Sequence, residues 1–124
     1  MTEIQALLLI KSILESADIH GIENILSEDC EYMSTGRGII GRNRNESIEF
    51  LSSMTESIKA DNVPVTCKVM HITDVYKEDA LFHEDRHGLT VSYESGDNYV
   101  YMIFVDVNDE GLVDRIVSSQ ENYS

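Results

Sequence analysis

The chain has 124 residues, 42% of them hydrophobic, and its formal net charge is −14 because 23 acidic residues outnumber nine basic ones. This length and composition exclude a disordered protein and predict one domain over residues 1–124 with its own hydrophobic core. Such a negative surface repels phosphate groups and anionic lipids, so neither nucleic acid nor a membrane surface is an expected partner.

The first residues, MTEIQALLLI, carry Glu3 and lack the basic segment that begins a signal peptide. Their apolar run, residues 6–10, is far shorter than the ~20 residues of a membrane span. Cys30 and Cys67 have neither CxxC spacing nor the company of further cysteines, which favours reduced and buried thiols. We therefore expect a cytoplasmic protein.

Three helices are predicted in the first half of the chain. Apolar residues recur at helical spacing over residues 3–17, and Asp18 is a suitable N-cap for a short second helix whose inward side carries four apolar residues, Ile19, Ile22, Ile25 and Leu26. Asn43 and Glu46 have the spacing of a capping box, which predicts the start of the third helix. Pro64 ends any helix before it. The third helix is expected to bury Ile48, Leu51, Met54 and Ile58.

Strands are predicted between the second and third helices and throughout the second half. Residues 30–34 and 39–40 are typical of a small hairpin around the glycines of residues 36–38. From residue 65 onward hydrophobicity alternates, as is typical of half-buried strands. The strand candidates there are residues 65–76, 88–95, 98–107 and 112–119. Helices segregated from such strands favour the α+β class with a mainly antiparallel sheet.

The strand over residues 98–107 is apolar on both faces. One face has to meet the helices, and antiparallel sheets usually keep a free face polar. We therefore expect a homodimer formed through the outer face of the sheet. The alternative is a monomer in which this strand is covered locally.

The chain resembles the nuclear transport factor 2-like superfamily, including its SnoaL-like and ketosteroid-isomerase branches. The resemblance is carried by SADIHGIENILSEDCEYMSTGRGIIGRNRNESIEFL, residues 16–51, and by VYMIFVDVNDEGLVDRIVSS, residues 100–119. It implies three N-terminal helices packed in the concave face of a curved sheet, a cystatin-like α+β barrel shaped as a cone with a pocket at its open end. For that pocket we expect a small apolar ligand or a protein partner, and no cofactor.

The resemblance places three residues where ketosteroid isomerases carry their catalytic groups. Ser34 falls at the position of the aspartate base, Ile10 at that of a tyrosine, and Ile103 at that of an oxyanion-stabilising acid. A serine without a neighbouring base accepts a proton poorly, and isoleucine donates no hydrogen bond. That isomerisation is therefore not expected, which favours a noncatalytic pocket domain over a cofactor-independent isomerase, dehydratase or cyclase.

Five polar residues are the candidate pocket lining: Tyr32, Ser34, His71, Tyr99 and Tyr101. A histidine among apolar strand residues is either a general base near neutral pH or a hydrogen-bonded core residue. Tyrosines at alternating positions are more often core residues with a solvated hydroxyl than catalysts.

Two further patterns are candidate sites. HEDRH, residues 83–87, matches the HExxH zinc motif, with His83, Glu84 and His87 as ligands and base, but it lies between two predicted strands and lacks the downstream ligand. A remote alternative is thus a zinc hydrolase, and the absence of a metal is the favoured interpretation. Arg37, Arg42 and Arg44 cluster beside acidic residues, which they are expected to offset through weak exposed pairs; an anion site at the pocket mouth is the alternative.

Overall fold

The computed structural model describes residues 1–61, 64–72, 86–93 and 99–122. Within these residues there are two α-helices, one 3₁₀ turn and six strands. The helices are α1 (Glu3–Ser16) and α2 (Arg44–Asp61), and the 3₁₀ turn is Ile22–Asn24. The strands are β1 (Leu26–Ser34), β2 (Gly38–Gly41), β3 (Val65–Ile72), β4 (Arg86–Tyr93), β5 (Tyr99–Val107) and β6 (Val113–Asn122). In the described part of the chain, no helix combines the length and apolarity needed to cross a membrane.

Helix α1 begins at a capping box formed by Thr2 and Gln5. The Gln5 backbone N–H donates to the Thr2 hydroxyl at 3.2 Å, and the Thr2 backbone N–H donates to the Gln5 side chain at 2.8 Å. Two of the donors that a helix start leaves unsatisfied are thereby paired. The buried side of α1 consists of Ala6, Leu7, Ile10 and Leu14.

The predicted second helix is wrong. The Asp18 carboxylate accepts the backbone N–H of His20 at 3.0 Å, which forms a turn instead of a helix cap, and only the three residues of the 3₁₀ turn are helical. Gly21 precedes that turn with φ of 88°, and the carbonyl of Ile25 already accepts the N–H of Val113 from β6 at 2.8 Å. The apolar residues are largely buried as predicted, but the chain enters the sheet before a helix can form.

The predicted hairpin and the start of α2 are confirmed. Gly36 and Gly38 turn the chain between β1 and β2 with φ values of 90° and 83°, a region that favours glycine. The Glu46 N–H donates to the Asn43 carbonyl oxygen at 2.9 Å, and the Asn43 amide donates to the Glu46 carboxylate at 3.1 Å. At Gly41 a Cβ would lie 3.2 Å from both Tyr32 and Ser47, so glycine lets α2 approach the sheet closely.

The six strands form one sheet in the order β2-β1-β6-β5-β4-β3. Strand β1 runs parallel to β6 and every other pair is antiparallel, so the predicted mainly antiparallel sheet is confirmed. Helix α1 packs on β3, β4 and β5, while α2 packs on β1 and β2. Both helices share one apolar core with the sheet residues beneath them, so they cover the same face. We call this the helix-covered face and the other the outer face.

The outer face carries a second, smaller apolar cluster. Phe104 and Val117 are its buried members, and Met33 and Met102 pack against them. The guanidinium of Arg86 lies 5.1 Å from the centre of the Phe104 ring and donates to the carbonyl of Val105 at 2.8 Å. Phe104 is therefore fully buried on the face opposite both described helices.

Candidate functional site

Three hydroxyl side chains lie together on the helix-covered face: Tyr32, Ser34 and Ser118, which we call the hydroxyl row. Ser34 of β1 pairs with Ser118 of β6, and Ser118 pairs in turn with Ile103 of β5. Because side chains alternate along strands, Tyr32 and Ser34 point to the same side. Ser34 and Ile103 occupy the positions that the resemblance gives to the isomerase base and acid. Only Ser118 lies between them across the strands, and Ile103 is fully buried.

Tyr32 is the most enclosed member of the row. Only 3% of it is exposed, and its ring stacks on Phe50 of α2 with centroids 5.6 Å apart and planes inclined by 25°. Burial raises the pKa of the Tyr32 phenol, and a hydrogen bond with Ser118 acts in the opposite direction. The phenol therefore keeps its proton at neutral pH and can donate a hydrogen bond, but it cannot serve as a base.

Helix α2 adds hydroxyls whose donors are already engaged. Ser47 donates to the carbonyl of Cys30 at 2.8 Å, and Thr55 donates to the carbonyl of Ser52 at 2.9 Å. Among the residues whose burial the structure describes, every buried polar side chain is a hydroxyl: Ser47, Thr55, Ser118, Ser119 and the Tyr32 phenol. The buried part of this face beside α2 consequently offers hydrogen bonding from uncharged hydroxyls.

The two thiols do not change this conclusion. Cys30 and Cys67 are free and buried, one beneath each helix. Burial raises the pKa of each thiol to about 11. Because the thiolate is the reactive form, neither cysteine is a nucleophile at neutral pH.

His71 lies far from the hydroxyl row. It is exposed on β3, in the same alternation as Cys67 and Val69. Its strand is four positions from β1 in the sheet order, or roughly 19 Å along the sheet. The structure therefore does not bring His71 and Tyr32 into one site. His71 faces His87 of β4, with ring centroids 5.2 Å apart.

The HEDRH motif does not form a zinc-protease helix at its described end. His87 belongs to β4, which begins at Arg86, so its neighbours alternate across a sheet and do not lie one helical turn apart. His83 and Glu84 lie outside the described residues. Tyr99 and Tyr101 pair with Asn122 and Gln120 across β5 and β6, and their side chains lie outside the described part.

The arginine cluster lies around the hairpin and the start of α2. Arg37 and Arg42 are exposed, and Arg44 lines a cleft of about 200 Å³ together with Glu28, Asn43 and Asn45. The carboxylate of Glu28 disfavours an anion in that cleft.

A second cleft, of about 220 Å³, lies between α1 and the 3₁₀ turn. It is lined by polar residues such as Ser12, Asp18 and His20 and by the apolar side chains of Leu9 and Ile22. Pockets for drug-sized ligands start near ~300 Å³, and none of the predicted site residues lies here.

Sequence reasoning missed Ser118 and Thr55. Ser118 follows Arg115, Ile116 and Val117 in a strand with an apolar pattern, and the strand period does place it in phase with Ile116 on the helix-covered face. Thr55 shares the buried side of α2 with Leu51 and Ile58. In both cases the signal is a hydroxyl residue at a position where the periodicity of the strand or helix predicts a buried apolar side chain. Its significance is visible only once the neighbouring strands and the helix are in place.

No protein-family model matches the sequence, and no curated protein matches it. Solved structures do. A steroid delta-isomerase from Pseudomonas aeruginosa is 10% identical with a TM-score of 0.65, covering 96% of this chain and 79% of that one. The epoxide hydrolase/cyclase-like enzyme SalBIII, with a role in pyran ring formation in polyether salinomycin, is 12% identical with a TM-score of 0.61, covering 96% and 90%.

An NTF2-like protein of unknown function from Mesorhizobium loti is 12% identical with a TM-score of 0.62, and the match covers 98% of this chain and 96% of that one. Identities this low establish the fold alone. Two helices on one face of a curved, mainly antiparallel six-stranded sheet give this chain the α+β fold of the nuclear transport factor 2-like proteins.

Proposed function

We propose that this chain binds a small, uncharged and mainly apolar molecule, without transforming it, between α2 and the hydroxyl row. One observation carries the proposal: the buried polar groups described on this face are neutral hydroxyls, and the row continues into Ile103 where an isomerase needs an acid. Hydroxyls can orient a carbonyl or hydroxyl of a ligand but supply no acid–base pair at neutral pH. Phe50, 36% exposed and stacked on Tyr32, adds an exposed aromatic surface beside the row.

A neutral apolar dye with a carbonyl group, such as Nile red, tests this proposal by fluorescence titration. We expect saturable binding that Ser118→Val weakens about fivefold, the equivalent of one hydrogen bond of ~1 kcal/mol. Ser119→Val is the matched control, because Ser119 is the next residue of the same strand, is also buried and faces the outer side. Absence of saturable binding, or an equal loss in both variants, contradicts the proposal.

A second candidate is a cofactor-independent isomerase or cyclase. The steroid delta-isomerase and the cyclase-like enzyme of similar fold favour it. So does Tyr32, which retains its proton and could donate a hydrogen bond to a developing oxyanion. Solvent deuterium exchange into a β,γ-unsaturated ketone, followed by NMR, separates the two candidates. If the protein accelerates exchange above the rate in buffer, and Tyr32→Phe abolishes that acceleration, the chain is a catalyst and the proposal of binding without transformation is wrong.

We also propose a homodimer formed through the outer face. The cluster of Phe104, Val117, Met33 and Met102 is apolar on the face opposite the described helices, and Met70 on the same sheet is 48% exposed. Light scattering after gel filtration should give twice the chain mass, and Met102→Glu should give the single-chain mass because it places a charge in the contact. A monomeric wild-type protein at all concentrations contradicts the dimer.

A cytoplasmic location is proposed with it. Both cysteines are unpaired thiols, which suits a reducing compartment. Cell fractionation of the untagged protein should find it with soluble cytoplasmic markers, and recovery from an oxidising compartment would refute the location.

A further inference from the structure

His71 and His87 are directly opposite each other on β3 and β4. Their ring centroids are 5.2 Å apart, and the ring planes are inclined by 47°. His71 is exposed and His87 is half-buried, so solvent reaches the pair. The two histidines lie apart from the hydroxyl row, and a function of the pair would be independent of the ligand proposed for that row.

The ladder pattern brings these two side chains close together. The backbone N–H of Cys67 donates to the Glu15 carboxylate at 3.3 Å, which means that it points away from β4. Cys67 and Val91 are therefore a non-hydrogen-bonded pair, and the β3–β4 register runs without a shift to His71 and His87. Since the two pair types alternate, His71 and His87 are also non-hydrogen-bonded, the type in which facing side chains are closer.

We propose that His71 and His87 chelate one divalent transition-metal cation with a preference for imidazole, such as Zn²⁺ or Cu²⁺. Zn–N bonds of about 2.0–2.1 Å, added to roughly 1.1 Å from ring nitrogen to ring centre, put each centroid about 3.2 Å from the ion, and a tetrahedral angle then separates the centroids by about 5.2 Å. The observed separation equals this value.

Two further features bear on the site. The described residues contain no group of three or more metal-ligating side chains, so the ion would take water at its remaining positions. The net charge of −14 attracts cations to the molecule as a whole. Arg86 precedes His87 but is engaged with Asp106 at 3.1 Å, and as the adjacent residue of the strand it points to the other face.

The partner of His87 distinguishes this site from an HExxH zinc site. In that motif His87 would join His83 on one helix, whereas the structure joins it to His71 across two strands. Substitution of each histidine in turn therefore decides between the two sites, and His20, which lies in the cleft beside α1, is the matched control.

Calorimetric titration of tag-free protein with ZnCl₂ at about pH 7.5 tests the proposal. We expect one Zn²⁺ per chain, with affinity falling at least about tenfold in His71→Ala and in His87→Ala, because the second tethered ligand acts at a high effective concentration. His20→Ala and His83→Ala should bind as the wild type does. His87→Gln, with unchanged circular dichroism, separates loss of a ligand from loss of the fold. Wild-type affinity in His71→Ala, or loss of binding in His83→Ala, overturns the proposal.

Electron paramagnetic resonance of the Cu²⁺ form gives an independent readout. Nitrogen couplings from two imidazoles are expected in the wild type and from one in His71→Ala. Two coupled imidazoles in His71→Ala, or none in the wild type, would show that the pair is not the site.

Discussion

The helix-covered face of the sheet carries buried, uncharged polar groups at one end of the strand order and solvent-accessible, titratable groups at the other. On the side of α2, β1 and its neighbour β6 bury the neutral groups Tyr32 and Ser118. At the far edge beside α1, strands β3 and β4 present His71 and His87, with His71 exposed. An edge strand leaves titratable groups in water, whereas a covered strand would have to desolvate them. Burial therefore explains why the enclosed side keeps only hydroxyls and thiols among its described buried polar groups.

The largest effect is expected when a charge is placed on the enclosed side. Ile103→Asp should lower the free energy of unfolding by about 4 kcal/mol, because it removes a fully buried side chain and buries a carboxyl group beside Ser118. Urea denaturation measures the loss. His71→Asp puts the same group on the exposed edge and should cost less than about 1 kcal/mol. Similar losses in the two variants would mean that the row is open to water.

The two buried thiols test whether water is excluded from the core beneath α1 and beneath α2. Burial raises the pKa of Cys30 and Cys67 to about 11. Ordinary thiols in the unfolded chain ionise near ~8.5, so the unfolded state loses these protons first and stability falls as pH rises. The free energy of unfolding should be flat below pH ~8 and then fall, and each thiol should account for a loss of about 3 kcal/mol by pH ~11.

Urea denaturation at a series of pH values measures this fall. Cys30→Ala removes the contribution beneath α2, and Cys67→Ala removes that beneath α1. If neither substitution flattens the alkaline fall, the thiols are hydrated in the folded protein.

The third effect concerns the hydroxyl row itself. Tyr32→Phe keeps the stack on Phe50 but leaves the Ser118 hydroxyl without its partner, which should cost about 1–2 kcal/mol. Ser118→Ala in the same chain should recover part of that cost. A double-mutant cycle by urea denaturation should give a coupling energy of about 1 kcal/mol, and a coupling near zero would show that the two groups do not interact.

The fold was predictable wherever a local sequence pattern is sufficient to specify the secondary structure. Alternation from residue 65 onward located β3 to β6, and Asn43 with Glu46 located the start of α2. The second helix failed because its apolar residues satisfy a helix and a buried turn equally well. Only the Asp18 turn and the contact of Ile25 with Val113 of β6 decide between them, and the latter joins residues far apart in the chain.

The site was less predictable than the fold because it depends on strand neighbours. The sequence indicates Ser34 and Tyr32, but their partner Ser118 follows from the parallel pairing of β1 with β6, which no local pattern indicates. His71 and His87 are each candidates from the sequence, but for different sites. Their pairing needs the register of β3 against β4, which the sequence between them does not fix.

The smallest effect is expected at β3, the last described strand on that side of the sheet. There Glu15 of α1 accepts the Cys67 N–H at 3.3 Å and pairs with Lys11 at 2.6 Å. The hydrogen bond from Lys11 lowers the pKa of Glu15, but the carboxylate is in solvent, which screens the pair. Glu15→Ala should therefore cost little in urea denaturation, and Lys11→Ala no more. If Glu15→Ala is clearly the more destabilising of the two, the bond to the strand is the important one. The edge that presents His71 would then be held in place by α1, and its exposure would not mean that it is loosely attached.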